Sequence, residues 1–289
     1  MTRTRVLAAL VMGPSAILAI LFLPTRWMAA IAALMFLVGL WEWLKLAEIE
    51  DTLSRTVLLL LNLALMVVLT WASRSTSGFS PALFQIVSLV GAAWWLVALL
   101  WLRFYSFASD HQTWARLFKL AAGTLAIVPA WCALCLIHSD NFTAQGGFQE
   151  NLWRQHLWLL TALAIVWAAD SGAYFAGRAF GRHKLAPRIS PNKTVEGLLG
   201  GLVSGLVVGL LGGWLAGVQA SQLGALALVS VTTVLVSVVG DLFESLLKRH
   251  VGAKDSGNLI PGHGGILDRI DSVIAALPVF LIGRELLGF

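Results

Sequence analysis

Charge is what this sequence has least of. Only 12% of its 289 residues are Asp, Glu, Lys or Arg, against about 25% in an ordinary soluble domain. With 58% apolar residues and a mean hydropathy of +0.82, that scarcity excludes a water-soluble globular chain and indicates an integral membrane protein. Cysteine is almost missing. The two residues, Cys132 and Cys135, cannot build a disulfide framework. They form a C-x-x-C inside an apolar run with no adjacent partner for redox or metal chemistry, so they read as buried, inert thiols. Long polar stretches are absent too, which leaves no room for a separate soluble domain. The net charge of +5 and pI near 9.6 hint at nucleic acid. Lys and Arg collecting in cytoplasmic loops explain them better, and no nucleic-acid partner is expected.

What remains is apolar sequence interrupted by short polar segments. Nine candidate spans run at approximately 6–23, 27–47, 56–72, 84–102, 118–137, 156–177, 198–218, 223–246 and 272–288. Each is near the ~20 residues that cross a hydrocarbon core. Arg3 and Arg5 precede the first run as in a signal peptide, but no small-residue cleavage site follows, so a retained anchor is expected. With the N-terminus in the cytoplasm, only Arg26, Arg74, Arg154 and Arg284 fall on the far side, and the other 16 of the 20 Lys and Arg residues face the cytoplasm. The predicted fold is an all-α polytopic membrane protein forming a single integral domain. About five spans lie in 1–150 and about four in a catalytic region at 151–289, whose polar loops 178–197 and 247–271 face the cytoplasm. An odd span count puts the C-terminus outside.

Two patterns concern packing. Gly197, Gly201, Gly205, Gly209, Gly213 and Gly217 recur every four residues, a smooth ridge that predicts close helix packing. The tryptophans, such as Trp41, Trp43, Trp94, Trp95 and Trp101, sit mostly near span ends and read as interfacial anchors.

The chemistry concentrates in two places. In Gly240–Ser272, Asp241, Glu244, Ser245 and Lys248 stand at i, i+3, i+4 and i+7 and share one helix face. A Glu244–Lys248 pair within the helix is the plain explanation, yet intramembrane acids are functional candidates by default. Asp268 and Asp271 lie where the last helix begins. Helix-start acids are favoured by the dipole alone, but with Asp241 they make three carboxylates that repel unless a cation sits among them. Hard oxygens suit Mg²⁺, which binds one or two carboxylates plus substrate phosphates. Between them runs Pro261-Gly262-His263-Gly264-Gly265, a turn whose glycines would let backbone amides approach an anion. His263 would bond phosphate there or serve structure alone.

The second place is Asp170 to Glu196. Asp170, Tyr174 and Arg178 are spaced one helical turn apart, followed by Lys184, Arg188, Ser190, Asn192, Lys193, Thr194 and Glu196. Cations with hydroxyl and amide donors suit a polyphosphate. The residues alone therefore give a cytoplasm-facing, Mg²⁺-assisted site for phosphate-rich substrates. They leave kinase, phosphatase, nucleotidyltransferase and phosphate transporter all open.

The string Ser245-x2-Lys248-Arg249-x4-Lys254-Asp255-x-Gly257-x2-Ile260-Pro261-Gly262-His263-Gly264-Gly265-x2-Asp268-Arg269-x-Asp271 resembles the signature of phosphatidate cytidylyltransferases, the CDP-diacylglycerol synthases. Ile189-Ser190-Pro191-Asn192-Lys193-Thr194-x-Glu196-Gly197 and Asp170-Ser171-x2-Tyr174 are similar to further stretches of that family. The likeness in detail covers the C-terminal third to half. It implies transfer of a cytidylyl group from CTP to phosphatidic acid, giving CDP-diacylglycerol and pyrophosphate, by a multi-span bacterial inner-membrane enzyme that needs Mg²⁺. A homodimer is implied only by the same resemblance. On that basis Asp241, Asp268 and Asp271 are expected to hold metal, and three acids allow a second ion, a monovalent one included. Lys193 and Lys248 are expected to neutralise phosphates. Arg188, Ser190, Asn192 and Thr194 would bind CTP, Asp170 and Glu196 the ribose or a cation, and His263 and Lys254 the substrate.

A secondary transporter and a lipid kinase are the competing readings. No inverted repeat relates the halves, against the transporter. The D-x2-D-G-x2-A-R string of CDP-alcohol phosphotransferases is absent, since Asp268-Arg269-Ile270-Asp271-Ser272 does not fit it.

Overall fold

The computed structural model describes residues 13–75, 78–110, 112–139, 156–259 and 264–289. Among them are nine α-helices: α1 Gly13–Phe22, α2 Thr25–Leu46, α3 Thr52–Ala72, α4 Ala82–Arg103, α5 Thr113–Ser139, α6 Leu157–Phe180, α7 Val195–Ala216, α8 Leu223–His250 and α9 Leu267–Leu287. Seven, α2 to α8, are long and apolar enough to cross a membrane. The protein is an all-α, multi-pass membrane protein. The first predicted span lies partly outside the described residues. The last is a 21-residue helix, α9, that is less apolar than the seven because Asp268, Arg269, Asp271, Arg284 and Glu285 interrupt it.

Two short antiparallel ribbons join the helices. One, β1 Arg74–Ser75 with β2 Gly78–Phe79, closes the α3–α4 turn. The other, β3 Lys184–Ala186 with β4 Ser190–Thr194, pairs Lys184 with Thr194 and Ala186 with Ser190. It makes a hairpin of the polar loop between α6 and α7.

The bundle is built around α5 and α9, which are buried along most of their length. Each carries an internal proline, Pro129 and Pro278, whose freed carbonyl needs support from neighbours. Gly91 of α4 meets both: a β-carbon there would lie 3.0 Å from Pro129 Cγ and 3.5 Å from Pro278 Cγ. By contrast α3 buries little beyond Asn62, Met66 and Leu69 and turns most of its leucines outward. Asp51 starts it, accepting the Ser54 amide at 2.8 Å. The Ser54 hydroxyl, which donates to the same oxygen at 2.7 Å, and then this amide hold the Asp51 carboxyl below its usual range.

The glycine ridge packs as expected over five positions. Gly197, Gly201, Gly205, Gly209 and Gly213 are all buried. A β-carbon at Gly201 would stand 2.9 Å from the Ala169 carbonyl oxygen of α6, so α6 and α7 approach backbone to backbone. The same face of α7 meets Val234, Ser230 and Leu226 of α8. Gly217 is different. It follows the helix as its C-cap, with φ +93°, and serves chain reversal rather than packing. Cys132 and Cys135 are buried free thiols, as read.

The tryptophans require a correction. Trp43, Trp94, Trp95 and Trp101 are buried around Phe243 of α8 rather than standing at an interface. Their ring centroids lie 5.8, 6.0, 6.1 and 5.1 Å from that of Phe243. Trp43 stacks on Phe243 and the other three meet it edge to face, geometries that favour the interior. Two of the indoles also find carbonyls inside the protein: Trp43 donates to Lys119 O at 2.8 Å and Trp101 to Phe107 O at 2.9 Å.

Candidate active site

α6, α7 and α8 enclose a cavity of about 700 Å³ that the β3–β4 hairpin roofs. Asp170, Tyr174 and Arg178 of α6 all line it, as their one-turn spacing requires, and Arg178 donates to the Tyr174 hydroxyl at 3.1 Å. From the hairpin come Ser190, Asn192, Lys193 and Thr194, and from α8 comes Asp241. Lys193 pairs directly with Asp241. This contact ties the hairpin to α8 across 48 residues of sequence. Ser245, one turn beyond, donates to the second Asp241 oxygen at 3.4 Å. Asp170 and the buried Asp271 of α9 both lie in the field of Asp241 and of Lys193. One ammonium therefore touches Asp241 and acts through space on two further carboxylates.

The hairpin is held at both ends. Thr194 is the N-cap of α7, its hydroxyl accepting the Gly197 amide at 3.1 Å. Glu196 in the first turn accepts the amides of Arg182 and His183 at 3.0 and 3.2 Å and meets His183 Nδ1 at 2.6 Å. It thus faces the start of the loop and does not line the cavity. Arg249 fixes the far side, donating to the carbonyls of Ile189 and Ala253 at 3.2 Å each. Arg188 is exposed at the hairpin turn, and Lys254 is exposed just after α8.

A second cluster lies at the α8–α9 junction. Lys248 Nζ sits 2.6 Å from Glu244 and 2.7 Å from Asp268, so the plain i,i+4 pair within α8 exists but is shared with α9. Asp268 does more than meet lysine: Oδ2 accepts the amides of Ser256 at 3.1 Å and Gly265 at 2.8 Å. Asp268 is thus engaged with Lys248 and the loop, while Asp241 opens on the cavity and Asp271 is buried, accepting the Ser272 amide at 2.7 Å. His263 lies outside the described residues.

Among the described residues no three His, Cys, Asp or Glu side chains come close enough to enclose a metal unaided. The cavity lining offers a partial set of hard oxygens, Asp170 and Asp241, while the buried Asp271 lies outside the lining. Such a set fits Mg²⁺, which keeps water and takes phosphate oxygens for the rest of its shell.

Sequence reasoning missed Glu42 and Ser256. Glu42 is an acid in α2 that is only 1% exposed, and its Oε2 accepts from Ser256 Oγ at 3.0 Å and from the Leu267 amide at 2.8 Å. The signal was present: a carboxylate inside an apolar span is the same sign that drew attention to Asp241.

The sequence model described as the cytidylyltransferase family matches residues 3–287. A Pseudomonas aeruginosa protein named phosphatidate cytidylyltransferase is 40% identical over 281 residues, covering 97% of this chain and 96% of its own. A Haemophilus influenzae protein of the same name is 35% identical over 289 residues, covering 97% of each. A Staphylococcus epidermidis protein, again of that name, reaches 46% over a shorter stretch of 125 residues, 43% of this chain and 48% of its own. Matched almost end to end by one family's sequence model and by two relatives of one name, the chain belongs to the cytidylyltransferase family.

Proposed function

We propose that the protein transfers the cytidylyl group of CTP to phosphatidic acid, releasing CDP-diacylglycerol and pyrophosphate. The observation that carries this reading is the Lys193–Asp241 pair in the wall of a cavity set among three apolar helices. A cation and an acid in contact there offer one group to phosphate and one to a metal. The full-length relatives are both named for this reaction, and neither the transporter nor the lipid-kinase reading finds support in them.

In the reaction a phosphate oxygen of phosphatidate attacks the α-phosphorus of CTP, and the bond to the β-phosphate oxygen breaks as pyrophosphate leaves. No covalent intermediate on the protein is needed, so catalysis is positioning and charge neutralisation. Lys193 meets the triphosphate, with Ser190, Asn192 and Thr194 beside it on the hairpin and Arg188 at its turn. Lys248, held between Glu244 and Asp268, supplies a second cation. Mg²⁺ held by Asp241 and Asp271, with Asp268 as the third acid of the sequence reading, would neutralise phosphate charge as a Lewis acid. Phosphatidate enters sideways between helices, because its acyl chains lose about 0.8 kcal/mol per CH₂ on leaving lipid.

The hairpin and the α8–α9 loop face the cytoplasm in this proposal, which rests on the 16 of 20 basic residues on that side, and the membrane is the bacterial inner membrane. A homodimer belongs to the same proposal and is read by light scattering in detergent. The test of function is pyrophosphate release by purified protein in mixed micelles of phosphatidic acid with CTP and Mg²⁺. Release that needs all three, with a CDP-lipid product, is expected. Folded protein that releases none across metals and acyl chains refutes the proposal.

A further inference from the structure

Glu42 belongs to α2, far in sequence from the polar clusters, yet it reaches the loop between α8 and α9. Oε2 receives two donors, the Ser256 hydroxyl and the backbone amide of Leu267, at 3.0 and 2.8 Å. Leu267 is the first residue of α9, and the N-cap position, Ile266, has no side-chain oxygen to offer it. The exposed amides of a helix start need an acceptor, and a carboxylate there also meets the positive end of the dipole. Here the acceptor comes from another helix 225 residues away in sequence.

The fit around this carboxylate is close on both sides. A β-carbon at Gly257 would lie 2.7 Å from Glu42 Cδ, and one at Gly265 would lie equally close, at 2.7 Å. Both glycines let the loop press against the acid. Ser256, fixed by Glu42 through its hydroxyl, gives its amide to Asp268, and Gly265, packed on Glu42, gives its amide to the same oxygen. Asp268 then bonds Lys248. A continuous path of contacts runs from α2 through the loop to the lysine.

We propose that Glu42 is a positioning residue: from α2 it caps α9 and holds Ser256, and so fixes the Asp268–Lys248 pair to meet phosphate charge as it develops in the reaction. The part about phosphate rests on the cytidylyl-transfer reading; the part about the loop does not. Glu42 itself touches no reacting atom. Its work is geometric, so an acceptor oxygen at the same place suffices.

The test uses full-length protein in detergent with three variants. Glu42→Gln keeps an acceptor oxygen for both donors, Glu42→Ala removes it, and Ser256→Ala removes one donor alone. Glu42→Ala is expected to lose roughly 100-fold in kcat, the cost of an ångström-scale misplacement, with KM for CTP changed by less than about threefold. Glu42→Gln should stay within about threefold of wild type, and Ser256→Ala should fall between them. Hydrogen exchange is measured in parallel on peptides carrying the Ser256 and Leu267 amides. Both should exchange faster in Glu42→Ala and at the wild-type rate in Glu42→Gln.

Wild-type exchange at both amides in Glu42→Ala overturns the proposal, as does wild-type kcat. A Glu42→Gln variant as damaged as Glu42→Ala overturns the geometric role. If Glu42→Ala does not fold, Ser256→Ala decides: kcat lowered at an unchanged melting temperature supports the clamp, and unchanged kcat refutes it. Should wild type itself show no cytidylyl transfer, the functional reading fails, and the exchange measurement alone decides whether Glu42 holds the loop.

Discussion

Replacing Lys193 with alanine should move two affinities in opposite directions. Lys193 is in contact with Asp241 and lies in the field of Asp170 and Asp271. Its removal leaves those acids without their shared cation. A divalent ion bound at Asp241 would stand about 5 Å from the ammonium, and at an effective dielectric of about 20 that repulsion is about 7 kcal/mol. The two side chains are 26% and 29% exposed, so solvent screening reduces it by about half. Roughly 3 kcal/mol is about 100-fold in affinity. Lys193→Ala should therefore bind a divalent ion about 100-fold more tightly in the absence of nucleotide. The triphosphate, by contrast, loses a preorganised positive group, worth about 100-fold in kcat/KM for CTP. Asp241→Asn should weaken ion binding instead. The assay for the first effect is Mn²⁺ titration followed by electron paramagnetic resonance of the free ion, which needs no turnover. The second is read from initial rates at varied CTP. Ion affinity unchanged or weakened in Lys193→Ala, with an unchanged CTP dependence, refutes the reasoning that this lysine balances the acids and meets the nucleotide.

Other outcomes follow from the same structure. Asp271→Asn should abolish turnover while the protein stays folded in detergent, as judged by its elution and circular dichroism; near-normal rates remove Asp271 from the site. Thr194→Ala should cost about 1 kcal/mol of stability through the lost cap and lower the melting temperature, and Thr194→Ser should restore it. Gly201→Leu should disrupt the α6–α7 contact and abolish folded protein, because even its β-carbon meets the Ala169 carbonyl. Gly217→Ala, with open space around it but φ +93°, should cost only about 1 kcal/mol. Equal melting temperatures for wild type and Gly201→Leu would refute the backbone approach.

What the sequence disclosed depended on the kind of contact. Spans α2 to α8 were legible because apolar runs of the right length have few other uses. The Asp241–Lys248 face and the Asp170–Arg178 face were legible because charge in such runs is rare and helical spacing is local. The glycine ridge could be read for the same reason, except at Gly217, where the period of four continues one step past the helix. The tryptophans were misread because polarity does not mark the inside of a membrane protein: lipid and core are both apolar, and position near a span end does not separate them. The Lys193–Asp241 contact, the Gly91 fit against two prolines and the reach of Glu42 to Leu267 are meetings of distant segments. No periodicity encodes them. Asp268 shows the mixed case, since its place at a helix start was readable but its engagement with Ser256, Gly265 and Lys248 was not.

The rings around Phe243 have an optical consequence. Asp241, Glu244 and Lys248 share α8 with Phe243, and four of the protein's 13 tryptophans surround that phenylalanine. Indole emission shifts in wavelength with the polarity around the ring. If α8 turns or slides when nucleotide arrives, the indoles of Trp43, Trp94, Trp95 and Trp101 exchange part of their dry contacts, and the emission changes with no added dye. The helix that presents the acid to the cavity thus carries a built-in fluorescent gauge on its opposite side, readable in the unmodified protein.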